Sequence, residues 1–130
     1  MWLCELCYLY AYNGDNIPAN TAELNRPVDV ALDAAGKVYI ADAGTARIRK
    51  VTANTGIITT VAGNGVGMGT IGIPGYSCDA CAATSSELDT PDAVAVDAEG
   101  NLYIADATAE LIRKVTASTG IINTVIGSLR

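Results

Sequence analysis

The feature that most constrains this chain is that it states one stretch twice. Pro27–Gly63 and Pro91–Gly127 align without a gap at an offset of 64 residues, and 24 of the 37 paired positions are identical. Identity this dense is duplication, and a repeat unit of this size points to a modular array. Each copy contains four short apolar runs separated by turn signals, with strands expected near 28–33, 38–42, 47–52 and 57–62 and at their images 64 residues on. Asp33-Ala34-Ala35-Gly36 and Asp97-Ala98-Glu99-Gly100 predict tight type I turns with the glycine left-handed. Asn54-Thr55-Gly56 and Ser118-Thr119-Gly120 close the later hairpins. On the first strand Val28, Val30 and Leu32 point one way and Asp29, Ala31 and Asp33 the other. A bulky face backed by a small one suits sheets stacked on both sides. Pro27 and Pro91 take the first strand position, where a missing N–H does least harm. Ile48 and Val51 break strict alternation, which predicts a bulge or strong twist at Arg49-Lys50.

The residues Pro27, Ala31, Asp33, Gly36, Tyr39, Ala41 and Asp42 recur as Pro91, Ala95, Asp97, Gly100, Tyr103, Ala105 and Asp106. In that order they resemble the NHL-repeat family, whose repeats are blades of β-propellers. The resemblance implies an all-β chain: two consecutive four-stranded antiparallel blades of an incomplete propeller. It divides the sequence into an unmatched leader at 1–11, a first repeat at 12–63, a glycine-rich connection at 64–75 and a second repeat at 76–130. Asp42 matches the aspartate that opens the family's turn before the third strand. There it is expected to accept turn N–H groups and to pair with Arg47, while Ala46 stands where the family has asparagine. The second copy keeps Asp106 but has Glu110 and Leu111 in place of the asparagine and arginine. Two blades cannot close a propeller, which takes four to eight. The chain is therefore expected to be a fragment of a longer array, and open blade faces are expected to drive self-association.

Composition limits the chemistry. The net charge is −6, which argues against nucleic acid as the partner. Arg47, Arg49, Lys50, Arg113 and Lys114 fall in the two copies of one strand and read as a solvated strand face. No apolar run reaches membrane-spanning length, so no membrane partner is expected. There is no histidine, which removes the commonest general base and the usual nucleophile–base dyads. Asp29 and Asp92 remain as axial carboxylates that suit a calcium ion only weakly. The expectation is a chain that is not an enzyme and needs no cofactor. An axial metal site or an RNA-binding surface is the alternative. Gly67-Met68-Gly69-Thr70-Ile71-Gly72 has a phosphate-loop spacing, but Pro74 and Gly75 follow and no helix opens there. It reads as a linker.

Cys4-x-x-Cys7 and Cys78-x-x-Cys81 have zinc-knuckle spacing, but about 70 residues separate the pairs. Incidental thiols are expected, with disulfides and zinc as the alternatives. No Asn-x-Ser/Thr sequon occurs, the stretch Met1–Tyr12 does not read as a signal peptide because it lacks basic residues near Met1 and carries Glu5, and the compartment is left open. For function, the two copies agree at the end carrying the first and third hairpins and differ at the other end. There Gly44-Thr45-Ala46-Arg47 faces Thr108-Ala109-Glu110-Leu111, beside the blade-to-blade connection. Divergent loops on a rigid scaffold are where recognition resides. Thr45, Arg47, Glu110, Val66 and Tyr76 are the candidate binding residues for a protein or carbohydrate partner, the chain serving as a scaffold.

Overall fold

A computed structural model describes residues 12–65 and 78–128. The described chain is all-β, with ten strands in two antiparallel sheets and three 3-10 turns of three residues each. In the first sheet β2 (Pro27–Leu32), β3 (Val38–Asp42), β4 (Arg47–Val51) and β5 (Ile57–Ala62) form a meander. A two-residue strand, β1 (Ile17–Pro18), pairs outside β5. The second sheet repeats this order with β6 (Cys81–Ala82) outside β10 (Ile121–Ile126), then β9 (Leu111–Val115), β8 (Leu102–Asp106) and β7 (Pro91–Val96). The four main strands of each blade thus stand where the sequence places them. The fifth, short strand is an addition.

Local chemistry fixes the register. Asp33 O accepts the Gly36 N–H at 3.1 Å, and Asp33 Oδ1 accepts Ala35 N–H and Lys37 N–H at 2.9 Å each. Asp97 does the same work for Gly100, Glu99 and Asn101. Gly36 and Gly100 sit at φ +85° and +88°, a region open to glycine at no steric cost. An ordinary two-strand offset would carry Val61 and Val125 past their partners. Instead the β4–β5 register shifts between Ile48 and Arg49, and the β9–β10 register shifts between Thr124 and Ile126. The expected bulge therefore lies one residue early, and its extra residue belongs to the outer strand. Each first strand also bulges, after Pro27 and after Pro91.

Cross-strand pairing sorts the side chains. On blade 1 one face carries Ala31, Tyr39, Ala41, Ile48 and Ala62, and the other carries Val30, Leu32, Ile40 and Arg49. β7 packs on β2 and β3, so the first of these faces meets the bulky face of blade 2: Val94, Val96, Leu102 and Ile104. Small residues on one sheet receive large ones from the other, and together they form the buried core with Leu88, Val115 and Ile122. Two polar links close the contact. Gly63 N–H donates to Ala83 O at 2.9 Å, and Val94 N–H donates to Asp29 Oδ2 at 2.9 Å. Asp29, the candidate axial ligand, is thereby committed to the neighbouring blade. Asp92 is exposed.

Candidate functional site

The hairpins between the second and third strands form the end of the blades where recognition is expected. In blade 1 the 3-10 turn Ala43–Thr45 leads into Ala46 at φ 56°. In blade 2 Glu110 takes the same conformation at φ 60°. Ala46 N–H donates to Ala43 O at 3.1 Å, and Glu110 N–H donates to Ala107 O at 3.2 Å. The two hairpins share a backbone and differ in side chains. Their left-handed residue occupies the position where the repeat family carries asparagine, a residue that tolerates this region.

Thr45 is a correction. It is fully buried, and its hydroxyl donates to Asp42 Oδ2 at 2.6 Å, so it supports the turn and cannot reach a partner. Asp42 Oδ1 accepts the Asn25 N–H at 2.8 Å, which bonds the loop before β2 to the end of β3. In blade 2, where Ala109 replaces Thr45, Asp106 instead accepts Asp89 N–H and Thr90 N–H. Burial raises the pKa of both carboxyls above the ordinary aspartate value, against the hydrogen bonds that lower it. Arg47 is half-buried, with its guanidinium 3.6 Å above the Tyr12 ring and Nη1 donating to Thr45 O at 3.3 Å. Glu110 is exposed at the tip of its hairpin. The structure thus places Arg47 and Glu110 at the same end of successive blades. Val66 and Tyr76 lie outside the described residues.

The basic strand is also corrected. Arg49 and Arg113 are fully buried: Arg113 lies on the face that meets blade 1, Arg49 lies on the opposite, outward face of its own blade, and the segment entering each blade lies against its arginine. Arg49 Nη2 reaches Gly14 O at 2.7 Å and Asp15 Oδ1 at 3.1 Å. Arg113 Nη2 reaches Cys78 O at 2.5 Å and Asp79 Oδ1 at 3.4 Å. These arginines pin the segment entering each blade to its third strand. Asp15 also accepts the Thr60 hydroxyl at 2.9 Å, and Asp79 accepts the Thr124 N–H at 2.6 Å. Burial lowers the Arg113 pKa and Asp79 raises it again. The sequence signal was available in the matching acids, Asp15 and Asp79, at one offset from the two arginines.

The cysteine expectation changes as well. Cys78 and Cys81 are joined by a disulfide, their Cα atoms 6.0 Å apart. In blade 1 Gly14 and Ile17 stand at those positions. Cys4 and Cys7 lie outside the described residues. Among the described residues no cluster of three or more metal-ligating side chains occurs.

At the opposite end a cleft of about 490 Å³ opens between the two blades. Asp33, Lys37, Lys50, Asp97, Glu99 and Leu102 help to line it. Its acids are largely engaged: Tyr39 and Tyr103 hydroxyls donate to Asp33 and Asp97 Oδ2 at 3.4 and 3.3 Å. The Lys37 N–H holds the Asp33 pKa below the usual carboxylate value, and the Asn101 side chain does so for Asp97. The reading of the sequence missed this cleft. A gap between sheets has no signature in one strand.

Comparison with known proteins follows the same division. The sequence profile of the Teneurin NHL domain matches residues 64–130, and that of the NHL repeat matches residues 24–51. No curated protein matches the chain. Among solved structures, a Bacteroides thetaiotaomicron protein of unknown function is 25% identical with a TM-score of 0.63, over 80% of this chain and 24% of that one. A putative phosphatase from the same organism is 19% identical with a TM-score of 0.59, over 92% and 25%. The calcium-binding protein regucalcin from Agrobacterium tumefaciens is 17% identical with a TM-score of 0.53, over 79% and 30%. The last two show the fold alone. The chain spans between a quarter and a third of the length of the solved structures it matches.

Proposed function

The chain belongs to the NHL-repeat family, and on that premise we propose that its blades form a non-catalytic scaffold presenting hairpins to a protein or carbohydrate partner. The observation that carries this reading is the shared backbone of the two hairpins with different side chains on it. Ala46 and Glu110 hold the same left-handed conformation, followed by Arg47 in one blade and Leu111 in the other. Such a pair is a fixed frame with exchangeable contents, which is how binding loops on rigid scaffolds are built. Arg47 is preorganised by the Tyr12 ring beneath it, so little side-chain freedom is lost on binding. The absence of histidine, and the use of Asp42, Asp106, Asp33 and Asp97 as hydrogen-bond acceptors for their own turns, support a reading without catalysis. The contact surface would comprise Arg47, Glu110 and the connection from Val66 to Tyr76.

The test exchanges residues between the copies. Arg47→Leu and Glu110→Ala each install what the other blade already carries at that position. Binding is measured against protein and glycan panels by the wild type and then by both variants. The expected result is a partner whose affinity falls at least tenfold in the variants while their melting points stay put. Lys37→Glu and Glu99→Lys, at the cleft end, should leave that affinity intact. The opposite pattern would move the site to the cleft.

A further inference from the structure

Duplication provides an internal control for burial, because each inter-blade residue has an image on the outward side. Val94 is 5% exposed, and its image Val30 is 55% exposed. Val96 packs on the core, and its image Leu32 is 64% exposed. The same holds in the other direction. Ala62 is fully buried and Val61 packs against the core, while their images Ile126 and Val125 are 65% and 49% exposed. Tyr39, Ala41 and Ile48 are buried, and Tyr103, Ala105 and Ile112 are only partly so. Each of these positions of the internal contact therefore has an image on an outward face, apolar in every case, with less protein over it.

We infer that these outward faces bind a second copy of this chain, head to tail, blade 2 of one copy against blade 1 of the next. The outward face of blade 1 (Val30, Leu32, Val38, Ile40) repeats the face that blade 2 buries. The outward face of blade 2 (Ala95, Tyr103, Ala105, Ile112) repeats the face that blade 1 buries. The docking between copies is the internal contact made once more. Its polar link is also duplicated: Gly63 N–H donates to Ala83 O inside the chain, and Gly127 N–H and Ala19 O are the image pair on the outward sides. One feature is missing, since Ala93 stands at the image of Asp29 and offers no carboxylate to Val30 N–H. The contact between copies is thus weaker than the internal one and depends on concentration. Its two sides are different surfaces, so it is heterologous, and such a contact forms a ring where its rotation closes and an open filament where it does not. Three copies supply six blades, within the range at which propellers close.

The experiment is sedimentation equilibrium of the full chain over a dilution series, with two variants. Val30→Glu charges the outward face of blade 1 and Ile126→Glu that of blade 2. Both residues are solvent-exposed within one chain, so the fold persists, as a melt at the lowest concentration confirms. The wild type should sediment at a multiple of 13.4 kDa and dissociate on dilution. Each variant alone should be a monomer. An equal mixture should form a two-chain complex and nothing larger, because each variant keeps the face that the other has lost. A wild type that stays monomeric at tens of micromolar overturns the inference. So does association that survives both substitutions, or a mixture that stays monomeric.

Discussion

Val94 and Val30 occupy one position of the repeat, on the first long strand of each blade, at the sheet edge, and each has an isoleucine as cross-strand partner, Ile104 or Ile40. Replacing either by alanine removes the same atoms and costs the same strand propensity. Burial is the difference: 5% exposed against 55%. Deleting two methylene equivalents from a buried site costs about 1.6 kcal/mol in transfer free energy. The cavity left between the sheets raises this to about 2.5 kcal/mol for Val94→Ala. At Val30 about half of the transfer contribution applies and water fills the space, so the cost is about 0.7 kcal/mol. The gap of about 2 kcal/mol corresponds to roughly 8 °C in melting temperature for a domain of this length. The assay is urea unfolding followed by far-UV circular dichroism at the lowest usable concentration. There Val94→Ala should show its full loss at every concentration. Any larger effect of Val30→Ala should emerge only as concentration rises and copies associate. Equal losses for the two variants in dilute solution would refute the assignment of which face is internal.

Three further outcomes follow. Thr45→Val keeps the shape of the side chain but removes the donor to Asp42, and should cost about 2 kcal/mol in chemical denaturation while leaving partner affinity unchanged. The Cys78–Cys81 bridge closes a very short loop, so reductant should lower wild-type stability by about 2 kcal/mol and leave a Cys78→Ala/Cys81→Ala variant unaffected. Asp33 and Asp97 have folded pKa values below the ordinary 3.8, so their stabilisation is present above that value and is lost as pH falls through the depressed one. Urea midpoints taken down the acid range should therefore fall less steeply in an Asp33→Asn/Asp97→Asn variant than in the wild type.

Much of the fold was legible because its signals are local. The Asp-x-x-Gly turns, the prolines at strand starts and the doubled strand pattern each act within a few residues, and the main strands stand within one residue of their expected bounds. The fifth strands were not legible, since Ile17–Pro18 and Cys81–Ala82 are two residues long and exist only because β5 and β10 offer an edge. Thr45 was misread for a related reason. A threonine in a variable hairpin looks solvent-facing, yet the Asp42 carboxylate needs a second donor and Thr45 is the residue that supplies it. Arg49 and Arg113 look solvent-facing because a charged strand residue usually is, whereas the entering segments lie against them and Asp15 and Asp79 pair with them there. Of the candidate site, the end of the blades and the positions of Arg47 and Glu110 could be read from the divergence between copies. The cleft at the other end depends on how two sheets meet.

The central claim is that the two copies stack face to face, with Asp29 of the first reaching the backbone of the second. The most direct measurement is amide hydrogen exchange at Val94, whose N–H donates to Asp29 Oδ2 across the junction. In the wild type this amide should be protected although β7 is an edge strand of its sheet. In Asp29→Ala it should exchange at least tenfold faster while the amides of Ile104 and Arg113, inside blade 2, keep their protection. A Val94 amide that exchanges freely in the wild type, or that does not respond to Asp29→Ala, would contradict the stacking of these blades.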